Sequence, residues 1–229
     1  MNLSPDEWQA IWLTLGVAAR AVGCGLPLAV LTAWVLARCR FPGRSLLNAL
    51  VHLPMVLPPV VTGWLLLILF GVRGPVGALL SDWLGIRLVF TTAGAALAAG
   101  VMTFPIMVRS VRLSLEAVDQ GLEQAARTLG AGPLDRLLNL TLPLASPGIL
   151  VGAVMAYATC LGEFGAVITF AGSIPGQTQT LPLAIFSALQ VPGGETKAAE
   201  LSIVSLTLAV IGLMIAEWMN KRLNMMLGR

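Results

Sequence analysis

Few residues in this chain of 229 residues are of the types that perform covalent chemistry. His52 is the single histidine, and the three cysteines, Cys24, Cys39 and Cys160, have no C-x-x-C spacing. Zinc sites are usually built from several such side chains. No Gly-Lys dipeptide occurs, so the phosphate-binding loop of ATP-hydrolysing proteins is missing. The sequence therefore predicts no catalytic residue, no metal site and no bound cofactor, which disfavours a membrane-embedded enzyme.

Two charged residues, Arg20 and Glu163, interrupt long apolar stretches. A charge near the centre of a bilayer costs roughly 2.5 to 3.5 kcal/mol on insertion scales, so such residues usually face the protein interior or a watery cavity. In one interpretation Arg20 and Glu163 pair with each other or hold a neighbouring chain. In the alternative, Arg20 attracts an anionic substrate and Glu163 shapes an outer gate.

Three prolines, Pro54, Pro58 and Pro59, lie within one apolar stretch. They free backbone carbonyls that lipid cannot satisfy, so a helix broken in this way must be buried in protein or line a watery cavity. Discontinuous spans often mark a transport path, although a plain structural kink is the alternative. The candidate residues of a translocation path or gate are Arg20, Pro58, Pro59, Thr62 and Glu163.

A polar segment, residues 123–143, lies between the apolar runs and has helical periodicity. Gly130 falls where a helix would end, since glycine accepts a left-handed backbone at little cost. A second short helix is expected after Gly132-Pro133, and Pro143 is expected to stop it. From the pattern alone, the segment is either an amphipathic connector on the membrane or a surface that another protein approaches closely at Ala125 and Ala126.

The same segment resembles the EAA loop of permease subunits of ABC importers, written E-A-A, three residues, Gly, nine residues, I-x-L-P. Ala125-Ala126, Gly130 and the segment 140–143 fit this spacing. The family glutamate falls on Gln124, with Glu123 one residue earlier, and the family isoleucine is a leucine. The resemblance implies a coupling helix that docks into a cleft of an ATPase subunit. Its expected coupling residues are Glu123, Gln124, Ala125, Ala126, Gly130 and Pro143.

The composition, 57% hydrophobic and 11% charged, is too apolar for a soluble domain. Several runs reach the roughly 20 apolar residues that a membrane-spanning helix needs. We predict an all-α membrane protein with a single domain, 1–229, and the resemblance implies the MetI-like fold of importer permeases. The predicted spans are 8–37, 46–70, 88–108, 147–168 and 201–219, with a cytoplasmic coupling loop at 112–146.

The distribution of positive charge predicts the orientation. Ten of the fourteen Lys and Arg residues fall on segments that five crossings would place inside, as the positive-inside rule requires. The N-terminus is therefore expected outside and the C-terminus inside. The first ten residues carry no Lys or Arg, so the first span is expected to be retained and not cleaved as a signal peptide. Scattered positive residues do not indicate nucleic-acid binding.

Two further segments, 52–63 (HLPMVLPPVVTG) and 161–170 (LGEFGAVITF), resemble the permease subunit of molybdate ABC importers. The resemblance implies a multi-pass protein of the bacterial inner membrane that moves molybdate by alternating access. It also implies three partners: a second copy of the chain, a dimer of ATP-binding subunits that uses ATP and Mg, and a periplasmic molybdate-binding protein. Permeases for sulfate, thiosulfate or tungstate are the alternatives. A passive channel or a membrane scaffold would explain the spans but not the spaced loop.

Overall fold

The structure, a computed structural model, describes residues 4–226, and every regular element among them is helical. A short π-helical turn, Leu137–Thr141, joins the helices Pro133–Arg136 and Leu142–Leu161. The helices are α1 Pro5–Arg38, α2 Arg44–Val56, α3 Pro59–Phe70, α4 Pro75–Leu84, α5 Thr92–Glu116, α6 Gln120–Thr128, α7 Pro133–Arg136, α8 Leu142–Leu161, α9 Gly165–Ala171, α10 Leu181–Leu189 and α11 Glu195–Met226.

Within residues 4–226, four helical stretches are long and apolar enough to cross a membrane: Pro5–Arg38, Thr92–Glu116, Pro133–Leu161 and Glu195–Met219. A fifth crossing is formed if α2 and α3 count as one span, since these two helices are bent by 119° at a short break. The predicted all-α membrane architecture is confirmed, with α5 and α11 longer than the spans expected there.

The bend between α2 and α3 has a local cause. Leu57 and Pro58 adopt extended backbone conformations, and Pro59 is the first residue of α3. Proline disfavours the helical region for the residue before it, so the pair Pro58-Pro59 separates the two helices. Pro54 lies inside α2 without ending it, and the break therefore falls at the second and third of the predicted prolines.

Small residues hold the bundle together. Ala18 of α1 and Ala95, Ala98 and Ala99 of α5 are fully buried, and small side chains let helices pack closely in lipid. Between α5 and α8, the Ser110 hydroxyl donates a hydrogen bond of 2.9 Å to the Gly148 carbonyl. These contacts make α1, α5 and α8 the centre of the fold.

The bundle has two ends that are tied together differently. At the N-terminal end of α1, Glu7 pairs with Lys197 at 3.1 Å, and the Thr14 hydroxyl accepts a hydrogen bond of 2.7 Å from the Leu181 N–H. At the other end of this helix, which is about 50 Å long at 1.5 Å per residue, Arg38 contacts α6. We call the latter the α6 end and the former the opposite end.

The fourth predicted span, 147–168, differs from the structure at both ends. The helix begins at Pro133 and passes through the π-helical turn into α8, so the prediction that Pro143 stops it is wrong. Pro143 follows this wider turn and occupies the second position of α8, where its missing N–H costs little. The helix then ends at Leu161, so Glu163 lies between α8 and α9 and not inside a spanning helix.

Candidate functional site

Helix α6 is capped by hydrogen bonds at both its N-terminus and its C-terminus. The Asp119 carboxylate accepts a hydrogen bond of 2.8 Å from the Gly121 N–H at its beginning. At its end, Gly130 has φ +88°, and the Ala131 N–H donates to the Ala126 carbonyl at 3.0 Å. This is the Schellman arrangement, in which glycine takes the left-handed position. The prediction that the helix ends at Gly130 is thereby confirmed.

The two sides of α6 differ in character. Leu122, Ala125, Ala126 and Leu129 recur at helical spacing and line an apolar cavity of about 310 Å³ together with residues of α7 and the π-helical turn. Leu129 is 88% exposed, and it lies outside the helical stretches that are long and apolar enough to cross a membrane. We call this side the apolar face of α6, and it offers a surface for a protein partner.

The other side of α6 is tied to the bundle through Glu123. Its Oε1 lies 2.9 Å from Arg38 Nη2 at the end of α1 and accepts a hydrogen bond of 2.8 Å from the Thr141 hydroxyl. The same Arg38 nitrogen donates to the Leu115 carbonyl at 3.1 Å near the end of α5. Arg38 and Glu123 are only 15% and 22% exposed. The pair of Glu123 and Arg38 thus connects α6 to α1, α5 and the π-helical turn.

Sequence reasoning named Glu123 and Gln124 but missed Arg38 and Thr141. Gln124 is exposed and lines a second cavity on the polar side of α6. Arg38 and Glu123 are separated by 85 residues, and no local spacing signals such a pair. The one indication in the sequence is that basic Arg38 follows the first predicted span and acidic Glu123 begins the polar segment.

The two segments 52–63 and 161–170 come together where α3 packs against α9. A Cβ atom added to Gly63 would lie 2.8 Å from the Ala166 carbonyl oxygen and from the Thr169 Cβ. A Cβ atom added to Gly165 would lie 2.7 Å from the Pro59 Cβ. Glycine is needed at both positions for this close approach. The structure therefore places two discontinuous helices in contact, with Pro59 and Thr62 on the α3 side.

Thr62 is buried, and its hydroxyl has no hydrogen-bond partner among the described residues. Buried polar groups are rarely left unsatisfied, so such a group needs an explanation. Pro58 provides the last extended residue before α3. Pro58, Pro59 and Thr62 therefore all lie at the beginning of α3, the helix that packs against α9.

The predicted pairing of Arg20 with Glu163 is wrong within the chain, since no ion pair joins them among the described residues. The Glu163 carboxylate instead accepts a hydrogen bond of 3.1 Å from the Ala166 N–H at the start of α9. Arg20 lies on the exposed side of α1 and lines a cavity of about 640 Å³ between α1, α2 and α5. The alternative roles of Arg20 and Glu163 stay predictions.

The architecture is that of a membrane protein: a bundle of helices long and apolar enough to span, with two broken helices in contact. The chain belongs to the family of binding-protein-dependent transport system inner membrane components, whose model matches residues 25–225. It is therefore a permease subunit of an ABC importer, located in the inner membrane, as the sequence resemblance predicted.

Named relatives cover almost the whole chain. The molybdenum transport system permease protein ModB of Escherichia coli K12 is 55% identical over 219 residues, 96% of each chain. The protein of the same name from Haemophilus influenzae is 48% identical over 97% of each chain. The sulfate transport system permease protein CysT of Salmonella typhimurium is 40% identical, over 83% of this chain and 73% of its own.

Solved structures confirm the fold. A bacterial alginate ABC transporter in complex with its alginate-bound periplasmic protein has a TM-score of 0.77 at 19% identity, covering 96% of this chain and 80% of that one. The MetNI methionine ABC transporter in an inward-facing conformation has a TM-score of 0.68 at 17% identity, covering 95% and 94%. Both are ABC transporters, and together with the family match they confirm the predicted fold class.

Proposed function

We propose that the chain is the permease subunit of an ATP-driven importer that moves molybdate across the inner membrane. The observation that supports this proposal most directly is the 55% identity, over 96% of each chain, with a molybdenum transport system permease. Sulfate permeases reach 37–40% identity over smaller shares of their own length, so sulfate and thiosulfate are second candidates. Tungstate resembles molybdate in shape and charge, so we expect the same importer to transport it.

The proposed complex contains two copies of this chain, a dimer of ATP-binding subunits and a periplasmic binding protein that delivers the oxyanion. ATP and Mg belong to the partner, since this sequence has no phosphate-binding loop. The N-terminus lies outside and the α6 end lies in the cytoplasm, because ten of the fourteen positive residues then follow the positive-inside rule. The apolar face of α6 is thereby presented to the ATP-binding subunit.

The proposed mechanism is alternating access. Closure of the ATP-binding dimer moves α6 through Ala125, Ala126 and Gly130. Glu123 transmits this movement to α1 and α5 through its contacts with Arg38 and Thr141. The spans then rock, and the closely packed pair α3 and α9 opens or closes the path. A charged oxyanion needs polar atoms without tight binding along such a path.

Reconstituted uptake tests the proposal. The chain is incorporated in proteoliposomes with the ATP-binding subunit inside and the binding protein outside, and uptake of molybdate, tungstate and sulfate is followed. We expect ATP-dependent uptake of molybdate and tungstate, with sulfate at least tenfold slower. Sulfate uptake that equals molybdate uptake would overturn the substrate assignment, and uptake without ATP would indicate a channel.

A further inference from the structure

The second cavity beside α6, of about 450 Å³, lies on its polar side. It is formed by the end of α1, the loop into α2, the polar side of α6 and the segment from α7 into the π-helical turn. Among the described residues that line it, Glu123 is the only acidic one. Its basic residues are Arg38, Arg40, Arg44, Arg127 and Arg136. We call this cavity the arginine pocket.

Positive charge in the arginine pocket is not balanced within the described part of the chain. Glu123 is already engaged by Arg38 and Thr141, and the other four arginines form no ion pair with a described residue. The Arg38 Nε is buried and has no hydrogen-bond partner there. Guanidinium groups around one cavity repel each other, and an anion between them would offset this repulsion.

The geometry of the side chains suits phosphate. The planar guanidinium group presents paired N–H donors that match the oxygens of a carboxylate or phosphate. Basic pockets between spanning helices near the membrane surface are typical sites for anionic lipid headgroups. The cavity volume leaves room for more than a single small ion.

The surroundings favour a lipid over a soluble anion. Trp34 lines the arginine pocket, and tryptophan prefers the level of the headgroups. Leu31 lies seven residues, or about two turns, before Arg38 on the same side of α1, and it is 58% exposed. A phosphate held in the pocket would thus place its acyl chains along an apolar surface. The apolar face of α6, which we assign to the ATP-binding subunit, is on the other side of the helix.

We infer that the arginine pocket binds the phosphate of an anionic phospholipid and so holds α1, α2 and α6 together at the membrane surface. This inference rests on the proposed function in one respect: the proposed orientation assigns the pocket to the inner leaflet of the membrane. The binding itself can be measured without transport, so its failure and that of the proposed function are distinguishable.

The test uses the full-length chain in nanodiscs of phosphatidylglycerol and phosphatidylcholine, with retained lipids counted by native mass spectrometry. We expect the wild type to retain phosphatidylglycerol. The double variant R40Q/R127Q should bind it about 25-fold more weakly, at about fivefold for each lost charge near a membrane surface. Arg40 and Arg127 are exposed, so their neutralisation is not expected to unfold the chain. The matched control R87Q/R109Q removes two exposed arginines outside the pocket and should change binding less than twofold.

Three results would overturn the inference. The first is equal retention of phosphatidylglycerol by the wild type and both double variants. The second is a rise in Tm with inorganic phosphate in pure phosphatidylcholine nanodiscs that equals the rise with phosphatidylglycerol, which would assign the pocket to a free anion. The third is loss of the ATP-binding subunit from R40Q/R127Q with unchanged lipid retention, which would assign it to an acidic surface of that protein.

Discussion

Replacing Glu123 with glutamine should lower ATP-driven molybdate uptake at least tenfold while the permease still assembles with its ATP-binding subunit. Glutamine keeps the size of the side chain but removes the charge that faces Arg38 at 2.9 Å. Hydrogen bonds to charged groups contribute roughly 1.5–3 kcal/mol, and Arg38 is only 15% exposed, so water compensates for little of this loss. Helix α6 would then move without carrying α1 and α5 with it.

The measurement compares uptake with ATP hydrolysis in the same proteoliposomes. Uncoupling predicts that hydrolysis continues while uptake is lost. Glu116→Gln is the matched control, because it also breaks an arginine–carboxylate pair, with Arg112 at 2.8 Å. That pair lies on one helix and is 28% and 40% exposed, and such surface pairs contribute about 0–1 kcal/mol. Uptake by Glu123→Gln within twofold of the wild type would refute the role of Glu123 in transmission.

Replacing Gly63 with alanine should destabilise the contact between α3 and α9 and strongly reduce uptake. The added Cβ would lie 2.8 Å from the Ala166 carbonyl oxygen, a backbone atom that cannot move alone. Overpacking of a filled interior costs roughly 1–3 kcal/mol. Because this contact joins the two discontinuous helices, we expect a lower Tm in detergent together with uptake reduced at least tenfold.

Gly23→Ala is the control for this substitution. Gly23 lies inside α1, and no atom of another described element comes within 4 Å of a Cβ added there. Alanine is favoured over glycine in a helix interior by about 1 kcal/mol, so Tm should stay unchanged or rise slightly. If Gly63→Ala has the Tm and uptake of Gly23→Ala, the close approach of α3 and α9 is not needed for transport.

The sequence allowed the helices to be predicted because apolar runs of spanning length have few alternatives in lipid. Pro58-Pro59 could be read as a break, since proline acts on its own backbone and on the residue before it. Gly130 was equally predictable, because the left-handed position at a helix end is a local requirement. In each case the physical cause lies within a few residues of its effect.

Two local helix boundaries and two contacts between distant residues were not predicted. Pro143 was expected to stop a helix, but the π-helical turn before it accommodates the missing N–H. Glu163 was placed inside a span, although the helix ends two residues earlier. The contact of Glu123 with Arg38 and that of Gly63 with Ala166 join residues 85 and 103 positions apart. Both segments in the second contact were recognised by resemblance, but no spacing indicated that they touch.

Site-directed crosslinking from the apolar face of α6 tests the central claim most directly. Leu129 is changed to cysteine in a chain whose Cys24, Cys39 and Cys160 are replaced by serine, and a thiol-directed crosslinker is added to the assembled complex. Leu189 in α10, also exposed, is the control at the opposite end. We predict that Leu129→Cys is crosslinked to the ATP-binding subunit and that Leu189→Cys is not. Crosslinks to that subunit from Leu189→Cys alone, or from neither position, would contradict the assignment of α6 as the helix that receives force from the ATPase.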